Sequence, residues 1–350
     1  MNRRAVLYAL ISAALFGLST PAAKVLLDSI SPALLAGLLY LGAGTGVAIL
    51  RRALRGTVGG KSREAALTVA EMPWLVAAVI AGGIVGPVLL MFGLARIDAS
   101  TASLLLTLES AATALLAWFI FHENFDRRIA IGMLCLVAGA AVLSWPEQLT
   151  FAGILGPLAI IGACIAWGLD NNFTRKVSLA DPLQIVEIKG LVAGPINLLI
   201  GLWAGGQLPN LTAALTAGVV GFFGYGVSLV LFVVALRDLG AARTGAYFST
   251  APFLGTLAAV GMFAEPVTVQ LVAAGGLMAF GVWLHLTERH EHVHTHEPMA
   301  HAHAHRHDEH HRHAHGPDDP PGEPHTHRHE HDRLTHTHPH VPDMHHRHTH

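Results

Sequence analysis

Ten stretches of this chain each run for about twenty residues with scarcely a charged side chain, and few folds can absorb so many such runs. In hydrocarbon every backbone N–H and C=O must find a partner within the protein, so each run reads as a spanning α-helix. The spans fall at 5–27, 32–50, 74–95, 100–121, 128–145, 151–173, 183–203, 211–236, 241–263 and 267–286. Hydrophobic residues make up 52% of the chain and charged ones only 13%, which is a membrane composition. The N-terminal Met1-Asn2-Arg3-Arg4 and its apolar run have the outline of a secretory signal, but the run is long for one and a similar segment recurs mid-chain. It is expected to stay as the first helix.

Lys and Arg in the connections favour the cytoplasm. With the N-terminus inside, the cytoplasmic connections hold residues such as Arg51, Arg52, Arg127, Arg128, Arg175 and Lys176, and the opposite ones only Lys24 and Arg96. An even number of spans returns the C-terminus to the cytoplasm. The expected protein is therefore multi-pass in the cell (inner) membrane with both termini cytoplasmic. The near-zero formal charge gives no footing for nucleic acid. Cys135 and Cys164 are far apart within apolar runs, which suits free thiols rather than a disulfide or a metal site.

The chain repeats itself. Phe16-Gly17-Leu18, then Lys24 and Pro32, parallels Trp167-Gly168-Leu169, then Arg175 and Pro182. Later, Gly93-Leu94 through Glu123 parallels Ala235-Leu236 through Glu265 at a constant offset. Two five-helix halves follow, and because five is odd they insert with opposite orientation, the inverted-repeat plan of many secondary transporters.

These residues resemble the EamA family of the drug/metabolite transporter superfamily: an aromatic-Gly pair in the first helix of each half, a Pro-led second helix at Pro32 and Pro182, and a glutamate closing the fourth helix at Glu123 and Glu265. The resemblance implies an all-α membrane protein of about ten helices in two repeats, 1–145 and 151–287, around a central cavity. It further implies alternating-access transport of small metabolites, amino-acid-like or drug-like. One departure stands out. A proline common in the fourth helix is present as Pro252, but the first half has Glu109-Ser110 there, so that helix is expected to be less kinked.

Glu109 lies near the centre of an apolar stretch, where an ionised carboxylate costs a few kcal/mol or more, so it is expected to face the cavity as a proton-coupling group, a binder of cationic substrate groups or a metal contact, weighed against a protonated or hydrogen-bonded structural residue. Asp170, Asn171 and Asn172 interrupt the sixth helix where Ser19, Thr20 and Pro21 stand in the first, which marks a candidate site of polar, unwound backbone. Glu187 and Lys189 are two residues apart, so they point to different faces and do not pair with each other, and both join Glu109, Asp170 and Asn171 as candidates for substrate binding in the central cavity. Substrate contact for Lys189 is weighed against snorkelling to the interface. Glu123 and Glu265 are expected to cap or anchor. The pairs Gly42/Gly46, Gly82/Gly86 and Gly201/Gly205 suit close helix approach. The chain lacks a Gly-x-x-x-x-Gly-Lys-Ser/Thr run, so no ATP-driven step and no enzymatic activity are expected.

From 288 to 350 the chain changes character. This tail carries 23 of the 25 histidines, many in His-x-His steps: His292, His294 and His296; His301, His303, His305 and His307; His325, His327, His329 and His331. With so few apolar residues it cannot bury a core and is expected to be disordered alone. Neutral imidazole ligates zinc, nickel, cobalt and copper, so the tail is expected to bind these ions, while the helices require no cofactor. The expected partners are the bilayer, a small-molecule substrate and metal ions, with the protein a monomer or homodimer. A metabolite permease with a regulatory tail is favoured; a divalent-metal exporter using the tail to collect ions is the alternative, weakened by the few ligating residues in the helices.

Overall fold

The computed structural model describes residues 3–57, 67–120, 127–145, 151–178, 180–239, 241–287 and, in the tail, 290–296, 299–305, 325–331 and 334–340. Among the described residues ten helices form the body. In the first half, α1 is Arg3–Leu26, α2 Pro32–Thr57, α3 Val69–Leu94, α4 Ala99–Phe119 and α5 Arg127–Leu143. In the second, α6 is Phe151–Val177, α7 Pro182–Trp203, α8 runs from Leu211 to Leu239, α9 comprises Ala241–Phe248 and Ala251–Phe263, and α10 is Val269–Leu286. Among the described residues nine spans are long and apolar enough to cross a bilayer, and the apolar stretch of α5 is shorter.

Packing follows the repeat. α2 lies against α7, and α5 against α10, so equivalent helices of the two halves meet in pairs. The first helices are exchanged: α1 packs on α8 and α9 of the other half, and α6 on α3 and α4. The space between α1 and α6 is therefore walled by both halves.

Close backbone approach at the α2–α7 contact rests on Gly44 and Gly190, since a Cβ on either would collide with the backbone of the facing helix. In a bilayer, where lipid is as apolar as leucine, such packing and interhelical hydrogen bonds hold helices together. Replacing Gly190 by leucine is expected to part α2 from α7 and lower the thermal midpoint in detergent markedly; a midpoint within a degree or two of wild type would show that this contact is dispensable. Of the glycines singled out above, Gly42, Gly46, Gly82, Gly86 and Gly201 do face close neighbours, but Gly205 does not. Gly205 takes φ 84° in the turn that ends α7, a conformation that suits glycine.

Three details depart from the sequence expectations. The sixth helix is continuous through Asp170, Asn171 and Asn172, because their side chains hydrogen-bond to neighbouring groups and leave the helical ladder intact. The fourth helix of the first half is broken even without proline: Leu106 and Thr107 lie between Ala99–Leu105 and Leu108–Phe119. There the backbone turns tightly, Leu106 N donating to Ser103 O and Thr107 N to Leu104 O, and the Thr107 hydroxyl also donates to Leu104 O. The break in α9, just before Pro252, falls at the matching place. Third, both third helices carry a π-helical turn, Val79–Val85 in α3 and Phe222–Val227 in α8. Such wide turns free backbone carbonyls that other groups must satisfy.

Among the described residues of the tail, four strands pair as two separate antiparallel ladders: β1 His290–His296 with β4 Leu334–His340, and β2 Met299–His305 with β3 His325–His331. The His-x-His alternation has the period of a strand. An isolated two-stranded ladder is marginal in water, so these pairings supply backbone partners without the core that the tail's composition precludes. His307 lies outside the described residues.

Candidate functional site

A small polar site lies between α1 and α6, about midway along the helices. Its first element is the π turn of α3. The freed Gly82 carbonyl accepts hydrogen bonds from the Tyr40 hydroxyl, at 2.5 Å, and from Trp167 Nε1, at 3.0 Å; Gly83 O accepts from Asn197 Nδ2 at 2.8 Å. Side chains from α2, α6 and α7 thus close on one bend, and the bend fixes Trp167 and Tyr40. A Cβ at position 82 would collide with the Asp170 carboxylate, so glycine there lets α6 set its acid against α3.

Asp170 is nearly buried and paired. Lys189 Nζ, from α7, lies 2.6 Å from Oδ1 and 2.7 Å from Oδ2, and the Thr174 hydroxyl donates to Oδ1 at 2.8 Å. Lys189 is 1% exposed, so it does not snorkel; its stem and head are enclosed because the carboxylate is within reach. Glu109, partly buried on α4, accepts a hydrogen bond from Asn171 Nδ2 at 2.9 Å, and the same amide reaches the Thr113 hydroxyl at 3.1 Å. Asn172 turns away from the cavity, donating to Gly168 O and Thr113 O.

Glu109, Asp170 and Asn171 line a cavity of about 50 Å³, enough for a few waters. Its remaining wall is largely aromatic: Phe16, Tyr40, Trp167, Tyr225, Phe232 and Phe248. Phe16 stands at the centre of this group, with ring centroids 5.6 Å from Trp167, 5.7 Å from Tyr225 and 5.3 Å from Phe248. Beside them Ser12 and Ser228 exchange hydrogen bonds, each hydroxyl donating to the other's carbonyl, which ties α1 to α8. The Tyr225 hydroxyl lies buried beside Ser19. A solute of metabolite size enters only if the helices part.

Of the sequence candidates, Glu109, Asp170 and Asn171 come together at the cavity, and Lys189 stands behind Asp170. Glu187 lies elsewhere. It joins Arg51 at 2.7 Å and Arg52 at 3.9 Å, while Arg51 Nε also meets Asp181 at 3.0 Å. Asp181 in turn accepts from Leu183 N and Gln184 N, capping α7, so this network locks the ends of α2 and α7. At the opposite ends, Lys24 Nζ donates to Leu94 O and Ile97 O, and Glu265 accepts from Ala99 N and Ser100 N. Glu265 thus caps α4 from the other half; Glu123 lies outside the described residues. Sequence reasoning did not place Tyr40, Tyr225, Phe232 or Phe248 at the site. Phe16 and Trp167 were visible as the matched aromatic-Gly positions of the two halves, but that pattern marks a repeat before it marks a cavity.

The EamA-like transporter family profile matches this chain twice, over residues 3–145 and 154–287. An uncharacterized transporter of Methanothermobacter thermautotrophicus is 27% identical over 77% of this chain and 82% of its own. A protein of Arabidopsis thaliana named probable purine permease 8 is 24% identical over 51% of this chain and 50% of its own. One solved crystal structure, 20% identical, superposes with a TM-score of 0.62 over 81% of this chain and 96% of its own, which shows a shared fold.

Proposed function

We propose that this chain, which belongs to the EamA-like transporter family, is a secondary transporter that carries small organic solutes, of amino-acid or drug size, through the cavity between α1 and α6 by alternating access. The observation that carries the reading is the position of Glu109: a carboxylate with a neutral amide as its hydrogen-bond partner, facing a cavity among the spanning helices that both halves enclose. Ionisable groups are costly there and are retained for function. The cavity is too small for a metabolite as it stands, and two halves that exchange their first helices give a natural seam along which it opens to one side and then the other. Both termini face the cytoplasm, in keeping with the basic residues of the connections on that side.

The metal-export reading is the weaker one. Among the described residues no group of three or more His, Cys, Asp or Glu is placed to hold a metal ion, and the permease named above for purines is a relative whose name points to an organic solute. The tail then acts as an accessory that binds zinc, nickel, cobalt or copper without lying on the path.

Flux into proteoliposomes of purified protein tests the reading, with one series of labelled organic amines, nucleobases and amino acids and one of nickel, cobalt and zinc. The expected result is organic-solute flux that falls about tenfold or more in Glu109→Gln, for the loss of one charge contact worth about 1.4 kcal/mol or more, with metal flux at background. Metal flux that depends on Glu109 would reverse the choice.

A further inference from the structure

The charges at the cavity are unequal. Two carboxylates reach it, Glu109 and Asp170. Asp170 is matched by Lys189, whose ammonium lies within 2.7 Å of both carboxylate oxygens and is closed off from solvent. That pair is neutral as a unit, and freeing the lysine for another anion would strand Asp170. Glu109 has no ion-pair cation among the described residues: its hydrogen-bond partner is the amide of Asn171. No Lys, Arg or His is among the described residues that line the cavity. A solute therefore meets one carboxylate without a cationic partner and no cation free to receive a negative group.

The walls agree with that sign. Six aromatic rings surround the space, and the faces of Trp167, Tyr40 and Tyr225 carry the negative end of the ring quadrupole, which attracts an organic cation once water is removed. The same rings offer stacking surface to a flat apolar body. The Tyr225 side chain, which also lines the space, adds one neutral hydroxyl.

From this inventory, and resting on the transport reading of the same cavity, we propose that the substrate class is the aromatic organic cation: an arylalkyl ammonium or a protonated nitrogen heterocycle, its charged nitrogen held between Glu109 and the aromatic wall. Zwitterionic amino acids are excluded. Their ammonium would fit, but their carboxylate would enter a low-dielectric space with Lys189 already committed to Asp170.

Tyramine, tyrosine and 4-ethylphenol test the proposal, because they share one ring and differ in charge: cation, zwitterion and neutral. Equilibrium binding of labelled tyramine to the purified full-length protein is measured, with the other two as competitors, alongside flux of each in proteoliposomes. The expected result is that tyramine binds about tenfold or more tightly than either competitor, that the preference disappears in Glu109→Gln, and that it persists in Glu109→Asp, which keeps the charge and controls for folding. Tyrosine or 4-ethylphenol competing as well as tyramine overturns it. So does tyramine binding that is equal in wild type and Glu109→Gln, or that is absent from both. The two readings separate cleanly: tyramine bound selectively but never moved leaves the substrate class standing and defeats transport, whereas tyrosine flux through the cavity does the reverse.

Discussion

Asparagine in place of Asp170 is expected to destabilise the folded helix bundle by about 3–5 kcal/mol, the usual consequence of removing one partner from a buried ion pair. Lys189 would keep a neutral amide oxygen and the Thr174 hydroxyl, 3.4 Å away, but lose its counter-charge, and its ammonium has no route to water at 1% exposure. The loss is read as a lower unfolding midpoint in detergent and a smaller monodisperse fraction on size exclusion. The discriminating companion is the double variant Asp170→Asn with Lys189→Met, which removes the stranded charge and is expected to regain most of the stability. If the double variant is no better than the single one, the penalty comes from the packing of α6 against Gly82 and not from the charge. Glu109→Gln forms a contrast, since its carboxylate has an amide for a partner and borders the cavity; its cost is expected in flux rather than in folding.

Ending the chain after Thr287 is expected to remove nearly all of the protein's capacity for zinc, nickel, cobalt and copper while leaving organic-solute flux intact. The truncation deletes 23 of 25 histidines, and the helices hold no metal-ligating cluster among the described residues. Binding in the full-length protein is expected to follow imidazole protonation. Only the neutral ring has a lone pair to give, and its ordinary pKa is about 6.5, so affinity rises with pH through that value and fails below about pH 6. Metal retained after desalting at pH 7.5 and at pH 5.5, in both chains, gives the answer directly. Ions kept by the truncated protein at pH 7.5 would locate a site in the membrane body and revive the metal-export reading.

What could be read in advance follows from the bilayer. Hydrocarbon forces each crossing to satisfy its own backbone, so ten apolar runs become ten helices with little regard for which residues fill them. The matched Phe16-Gly17 and Trp167-Gly168 exposed the repeat because equivalent helices meet equivalent neighbours. Glu109 announced itself by cost: a charge in such a run is unexplained until it faces a cavity. The π turns were not legible, because Val79–Val85 and Phe222–Val227 have the composition of any apolar helix, and the first shows itself only where Tyr40 and Trp167 close on Gly82. The break at Leu106–Thr107 was hidden for a similar reason, since hydroxyl and backbone bonds do there what Pro252 does in the other half.

The sequence by itself determined the number of crossings, the five-plus-five division and the carboxylate of Glu109 as out of place, all of which are set by transfer from water to lipid and depend on each segment separately. Only the tertiary structure decided the partners. Lys189 and Glu187, two positions apart on one helix, are sent to Asp170 on α6 and to Arg51 on α2, and that assignment leaves Glu109 as the cavity's carboxylate without a cation. Which charge stays unmatched depends on the distances between helices that no local pattern encodes, and on this unmatched charge the proposed substrate class rests.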